Sequence, residues 1–112
     1  MLIPYTKASV RRGSGVEIRN YITVEVSSSF SVAVVTLRGP HPKTMNRQSD
    51  RAYVILEGEA AVEVGNDSYR VAGGDVVYIP KNTPHSIDGQ VRYVVVNAPP
   101  FNPENEVAMA GG

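Results

Sequence analysis

The sequence predicts an all-β fold, a sandwich or barrel, and three observations carry that prediction. Short segments rich in β-branched and aromatic residues recur along the chain, clusters of turn residues separate them, and no window longer than a turn or two shows the helical period with caps. At 112 residues the chain has room for one domain and not for two. A domain of this size buries roughly two-thirds of the surface its unfolded chain would expose, so a core without staples is within reach. One domain over residues 1–112 is expected, with its core over about 16–98.

Taken in order, residues 16–26 (VEIRNYITVEV) supply one or two strands and residues 30–37 (FSVAVVTL) the next. Residues 52–56 (AYVIL) and 60–64 (AAVEV) read as two strands parted by a turn at Gly58-Glu59. Gly65-Asn66-Asp67 then marks a hairpin, because Gly and Asn take the positive φ of a tight turn at little steric cost. Strands follow at 69–71, 76–79 (VVYI) and 91–96 (VRYVVV), separated by Gly73-Gly74, by Pro80 to Pro84 and by Asp88-Gly89. Pro99-Pro100 ends the last strand, since proline has no N–H to give a ladder. Residues 103–107 are expected to make one helical turn at most, and 108–112, closing on Ala110-Gly111-Gly112, a flexible tail.

Composition narrows the partners. Eleven basic residues balance eleven acidic ones without a long run of either sign, so nothing draws the chain to nucleic acid or an anionic membrane. The absence of cysteine excludes disulfides, thiolate zinc sites and a thiol nucleophile. Residues 1–15 lack the apolar stretch of a signal peptide, and no apolar run, that around 91–96 included, approaches the roughly 20 residues of a membrane helix. A cytoplasmic protein is expected.

Two stretches resemble the two motifs of the cupin superfamily. Gly39 opens the first, which closes on Tyr53-Val54-Ile55-Leu56-Glu57-Gly58-Glu59; Gly74 to His85 (GDVVYIPKNTPH) matches the second, with Asn82 in place of its second glycine. Asn tolerates the left-handed conformation better than most residues, so that exchange is mild. The resemblance implies a cupin-type double-stranded β-helix, a jelly-roll-like barrel. It also implies a metal held by three histidines and a glutamate, and here the pattern departs. Arg51 stands at the glutamate position, Met45 and Arg47 at two histidine positions, and the chain has only two histidines, His41 and His85. Guanidinium is no metal ligand. No metal and no other cofactor is expected.

If the family's register holds, Arg47, Arg51, Tyr53 and Ile55 face the interior from one strand, His85 and Ile87 from another, and Tyr93 and Asn97 line the same cavity. The arginines then either await an anion, held by bidentate hydrogen bonds, or pair with Asp50 or Glu57 or sit in water at the mouth. His85 lines the pocket or hydrogen-bonds its own turn; Tyr53 lines it or fills core; His41, between two prolines, reads as a loop residue. Ala52, Val54 and Leu56 make the outer face of that strand apolar too, which calls for cover from the N-terminal strands or from a second copy, and a homodimer is expected. The leading expectation is a metal-free barrel binding a small polar or anionic, sugar-like molecule. A metal-independent epimerase, isomerase or lyase with His85 as base and Tyr53 or Tyr93 as acid is the alternative, and a metal-dependent enzyme is disfavoured.

Overall fold

Three long strands, each folded back on itself, carry the architecture of the computed structural model, which describes residues 1–109. In chain order the strands are β1 (Ser9–Gly13), β2 (Val16–Ile22), β3 (Ser31–Asn46), β4 (Asp50–Val64), β5 (Asp67–Ala72), β6 (Val76–Ile79), β7 (His85–Ala98) and β8 (Glu106–Ala108), with 3-10 turns at Tyr5–Lys7 and Pro103–Asn105. All ladders are antiparallel, in the order β1-β2-β3-β7-β4-β5, with β6 on β4 and β8 on β3.

The folding back is visible in one pair of residues. His85 is laddered to Val64 at the end of β4, yet its ring meets Arg51 near the start of the same strand. A straight strand would hold those two ends about 40 Å apart. Glycines permit the bend. Gly39 pairs with Gly89, which pairs with Ala60, and a Cβ on Gly89 or on Gly58 (φ 87°) would run into the carbonyl of the neighbouring strand. Gly58-Glu59 is therefore not a turn between two strands, and Asp88-Gly89 lies inside β7. Both signals were real; they mark bends in continuous strands.

The bend also has to keep one face inward. Arg51, Tyr53 and Ile55 are buried, and beyond the bend so are Ala60 and Val62, which means the inward positions switch from odd to even. A register shift between Ile55 and Glu57 supplies the extra residue. The two halves of the sheet then close on a core of Leu37, Ile55, Val62, Val71, Val77, Ile79, Ile87 and Val91.

The expected all-β, double-stranded β-helix fold is present, and among the described residues no ladder joins β1 to β5, so its sheet is folded face to face without closing. β1 lies before the expected core start at residue 16, and residues 103–107 split into the 3-10 turn and β8, which takes Ala108 out of the expected tail. Ala110-Gly111-Gly112 fall outside the described residues. The hairpin at Gly65-Asn66 and the positive φ of Asn82 (61°) are as the residue types imply. On the outer face, Leu56, Val76 and Tyr78 remain 43%, 64% and 61% exposed. β1 and β2 extend the sheet beside β3 and do not cover that face. No helix among the described residues is long and apolar enough to cross a membrane.

Candidate functional site

Pairing places the polar residues in one row. Ser31 lies opposite Asn97, and Asn97 opposite Arg51, all three buried and facing inward at the end of the molecule away from the bend. The next row inward carries Tyr53, and the one after it Tyr93, whose rings sit 4.7 Å apart. From the facing half, His85 and Glu106 meet Arg51.

Arg51 is the hub. Its Nε donates to Asn97 Oδ1 at 2.6 Å, Nη1 to His85 Nε2 and to Glu106 Oε1, each at 3.0 Å, and Nη2 to Glu106 Oε2 at 3.0 Å. Glu106 Oε2 also accepts from Asn46 Nδ2 at 2.7 Å. The Arg51 partner is thus neither Asp50, which accepts from the Lys81 N–H, nor Glu57, which lies near Arg92. Burial works against the Glu106 carboxylate, and the hydrogen bonds and charge of Arg51 outweigh it, holding the carboxyl below its usual range. Burial likewise works against the Arg51 charge, and Glu106 together with Tyr53 more than restores it.

His85 is fully engaged. Its Nδ1–H donates to the Thr83 carbonyl at 3.0 Å, which leaves Nε2 to accept from Arg51. Burial lowers the readiness of the ring to protonate, and the nearby guanidinium lowers it further against the pull of that carbonyl. With both nitrogens committed, and set behind Arg51 outside the cleft wall, His85 has no lone pair to offer a substrate. The expectation of His85 as general base is corrected on that ground. Arg47 is corrected as well: it stands exposed on the bend between β3 and β4, its N–H bonded to Asn105 O, and does not reach the interior.

A cleft of about 380 Å³ opens between β1–β2 and the inward face of β3, β4 and β7. Val16, Ile18, Ile22, Ala33 and Val95 supply apolar lining, and Arg51, Tyr53, Tyr93, Asn97 and Glu106 supply polar lining. His41 lines it too. It pairs with the buried Ile87 in the β3–β7 ladder and so shares the inward face. Its Nδ1–H donates to Pro42 O at 3.0 Å, and Nε2 has no partner among the described residues. Reading His41 as a loop residue because of its flanking prolines missed this, since β3 runs through both of them. Burial raises the phenols of Tyr53 and Tyr93 well above their ordinary range, against the pull of Arg51, so both stay protonated donors.

The donor set does not fit the metal that the fold family implies. Among the described residues no three His, Cys, Asp or Glu side chains come together, and the one imidazole at a ligand position faces a guanidinium 3.0 Å away. A cation cannot share that lone pair with Arg51.

The profile of the cupin domain matches residues 35–97. An uncharacterized protein of Methanocaldococcus jannaschii is 29% identical over 84 residues, 71% of this chain and 67% of that protein. One of Streptomyces coelicolor, also uncharacterized, is 39% identical over 54 residues, 46% of this chain and 51% of its own length. Among solved structures, a Streptomyces Pac13 variant with one tyrosine changed to phenylalanine, bound to uridine, has a TM-score of 0.89 at 20% identity, covering 97% of this chain and 89% of that one. Pac13 is described as a nucleoside dehydratase, and further variants, of a histidine and of a second tyrosine, were also solved with uridine. A Bacillus subtilis oxalate decarboxylase reaches 0.80 at 19% identity, over 94% of this chain and 31% of that one. At such identities the likeness establishes the fold.

Proposed function

This chain belongs to the cupin domain family, and on that premise we propose that its cleft binds a small polar molecule of the sugar or nucleoside class without a metal. One observation carries the reading: apolar side chains and a row of phenol, amide and guanidinium groups line one cleft of about 380 Å³, room for a flat or puckered ring with hydroxyls on one edge. The uridine bound to Pac13 supports the same ligand class. Calorimetric titration with uridine and with neutral monosaccharides, with and without a chelator, tests it. Saturable binding that the chelator leaves unchanged is expected; no binding of any of them at millimolar concentration overturns the reading.

A second reading, turnover, rests on His41. His41, whose Nε2 has no partner among the described residues, lines the cleft together with two protonated phenols. Elimination from a β-hydroxy carbonyl sugar would need that set: Nε2 takes the proton from the carbon beside the carbonyl, the C–O bond breaks, and a phenol protonates the departing hydroxyl to give water and an alkene. His41→Gln would then abolish turnover while leaving affinity within about threefold, a change under about 1 kcal/mol.

The outer apolar face of β4 and β6 supports a homodimer. Sedimentation at tens of micromolar is expected to give twice the chain mass, and Val54→Lys to give the monomer; a wild-type monomer refutes the pairing.

A further inference from the structure

We infer that Glu106, carried into the cleft by β8, is the specificity-determining residue that makes the deep end of this cleft select an uncharged ligand over its carboxylate or phosphate counterpart. The inference rests on the ligand-binding reading above and adds which member of the class is accepted.

The hydrogen-bond count carries it. A guanidinium has five N–H donors. In Arg51 one goes to Asn97, one to His85 and two to Glu106, which leaves a single donor at Nη2. An anion entering the cleft finds no bidentate site, because Glu106 already occupies it as a built-in carboxylate. It also finds the negatively charged Glu106 lining the cleft beside it. A neutral hydroxyl or carbonyl oxygen needs only the one donor and meets no like charge. Arg11, the other cation on the cleft, stands exposed at the rim, where water screens it.

The position of Glu106 suits a selector. It comes from a three-residue strand at the far end of the described chain, held by its ladder to residues 44–46 of β3 and by Asn46. The buried Arg51 and Asn46 bond to it, so the substitution that tests its charge is Gln, which keeps an acceptor for Arg51.

The matched probes are uridine and uridine 5′-carboxylate, which differ by one charge at nearly equal shape. Wild type is expected to bind uridine at least tenfold more tightly than the carboxylate. Glu106→Gln keeps an acceptor for Arg51 but drops the charge, and is expected to shift that ratio at least tenfold toward the carboxylate. The double variant Arg51→Met with Glu106→Gln, which carries neither charge, guards against a folding artefact: it must not show the anion gain. A ratio unchanged in Glu106→Gln while uridine still binds wild type overturns the charge selection and leaves the ligand-binding reading standing. Failure of both probes on wild type and on both variants overturns the two together.

Discussion

The two ends of the interior are built from the same strands and have opposite chemistry. At the bend, β3, β7 and β4 contribute Leu37, Val91 and Ile55, among the most buried side chains of the molecule. At the far end the same three strands contribute Ser31, Asn97 and Arg51. Each strand steps from apolar to polar over three or four inward positions, with tyrosines at the crossing. A dry end of this kind holds the fold by packing, whereas a buried ion pair adds little to stability over apolar residues of the same shape. The polar end therefore calls for a functional explanation, and the bend for a structural one.

The largest expected effect breaks the bend. Gly58→Ala puts a Cβ against the Gln90 carbonyl at a φ of 87°, where the backbone and not a side chain would have to yield. A loss of about 3 kcal/mol or more is expected in chemical denaturation, or failure to fold. Leu37→Ala, 2% exposed, removes packing at the same end and is expected to cost about 3 kcal/mol. If either variant melts like wild type, the dry end is not what holds the halves together.

At the polar end the expected pattern is different. Arg51→Met strands the Glu106 carboxylate and is expected to cost about 3 kcal/mol or somewhat less, because Glu106 keeps some contact with water. Adding Glu106→Gln should recover most of that loss, leaving the double variant within about 1 kcal/mol of wild type. A double variant as unstable as the single one would make the ion pair a structural element like the core, and the contrast between the two ends would fall.

Much of this contrast was legible in the residues. Alternation on residues 51–55 puts Arg51, Tyr53 and Ile55 on one face, and the ladders keep them there; Asn97, Tyr93 and the left-handed Asn82 also lie where their types and spacing put them. Long-range geometry was not legible. Glycine marks a place where the chain does something a side chain would forbid, but a turn and a bend in a continuous strand leave the same mark, so Gly58 and Gly89 read as turns. Glu106 was invisible for a related reason. A buried arginine demands an acid, but which acid depends on a return of the chain across more than fifty residues, and Asn102-Pro103-Glu104-Asn105 signals only the local turn before it. Arg47 failed because counting along a motif assumes a continuous strand, and β3 ends at Asn46.

The smallest expected effect separates the ends by pH. The buried core cluster at the dry end holds no charged side chain, whereas the polar end carries His85 and Glu106. Burial, with the Arg51 charge adding to it, lowers the His85 pKa in the folded state. Between that lowered value and the unfolded value of about 6.5, the unfolded chain holds a proton that the folded one refuses. Stability is therefore full above about pH 6.5 and falls as the pH drops below it, with a slope approaching about 1.4 kcal/mol per pH unit. Glu106, whose pKa the Arg51 contacts depress despite burial, adds a second loss starting near the unfolded value of about 4.3 and completed as the pH falls through the folded one. Urea midpoints measured from pH 7.5 down to 5 should thus fall in wild type, and the His85→Gln variant, which has no imidazole to protonate in either state, should lose most of that decline. A decline that survives the substitution unchanged would mean that the proton goes elsewhere, and that His85 is not held neutral by its burial beside the guanidinium.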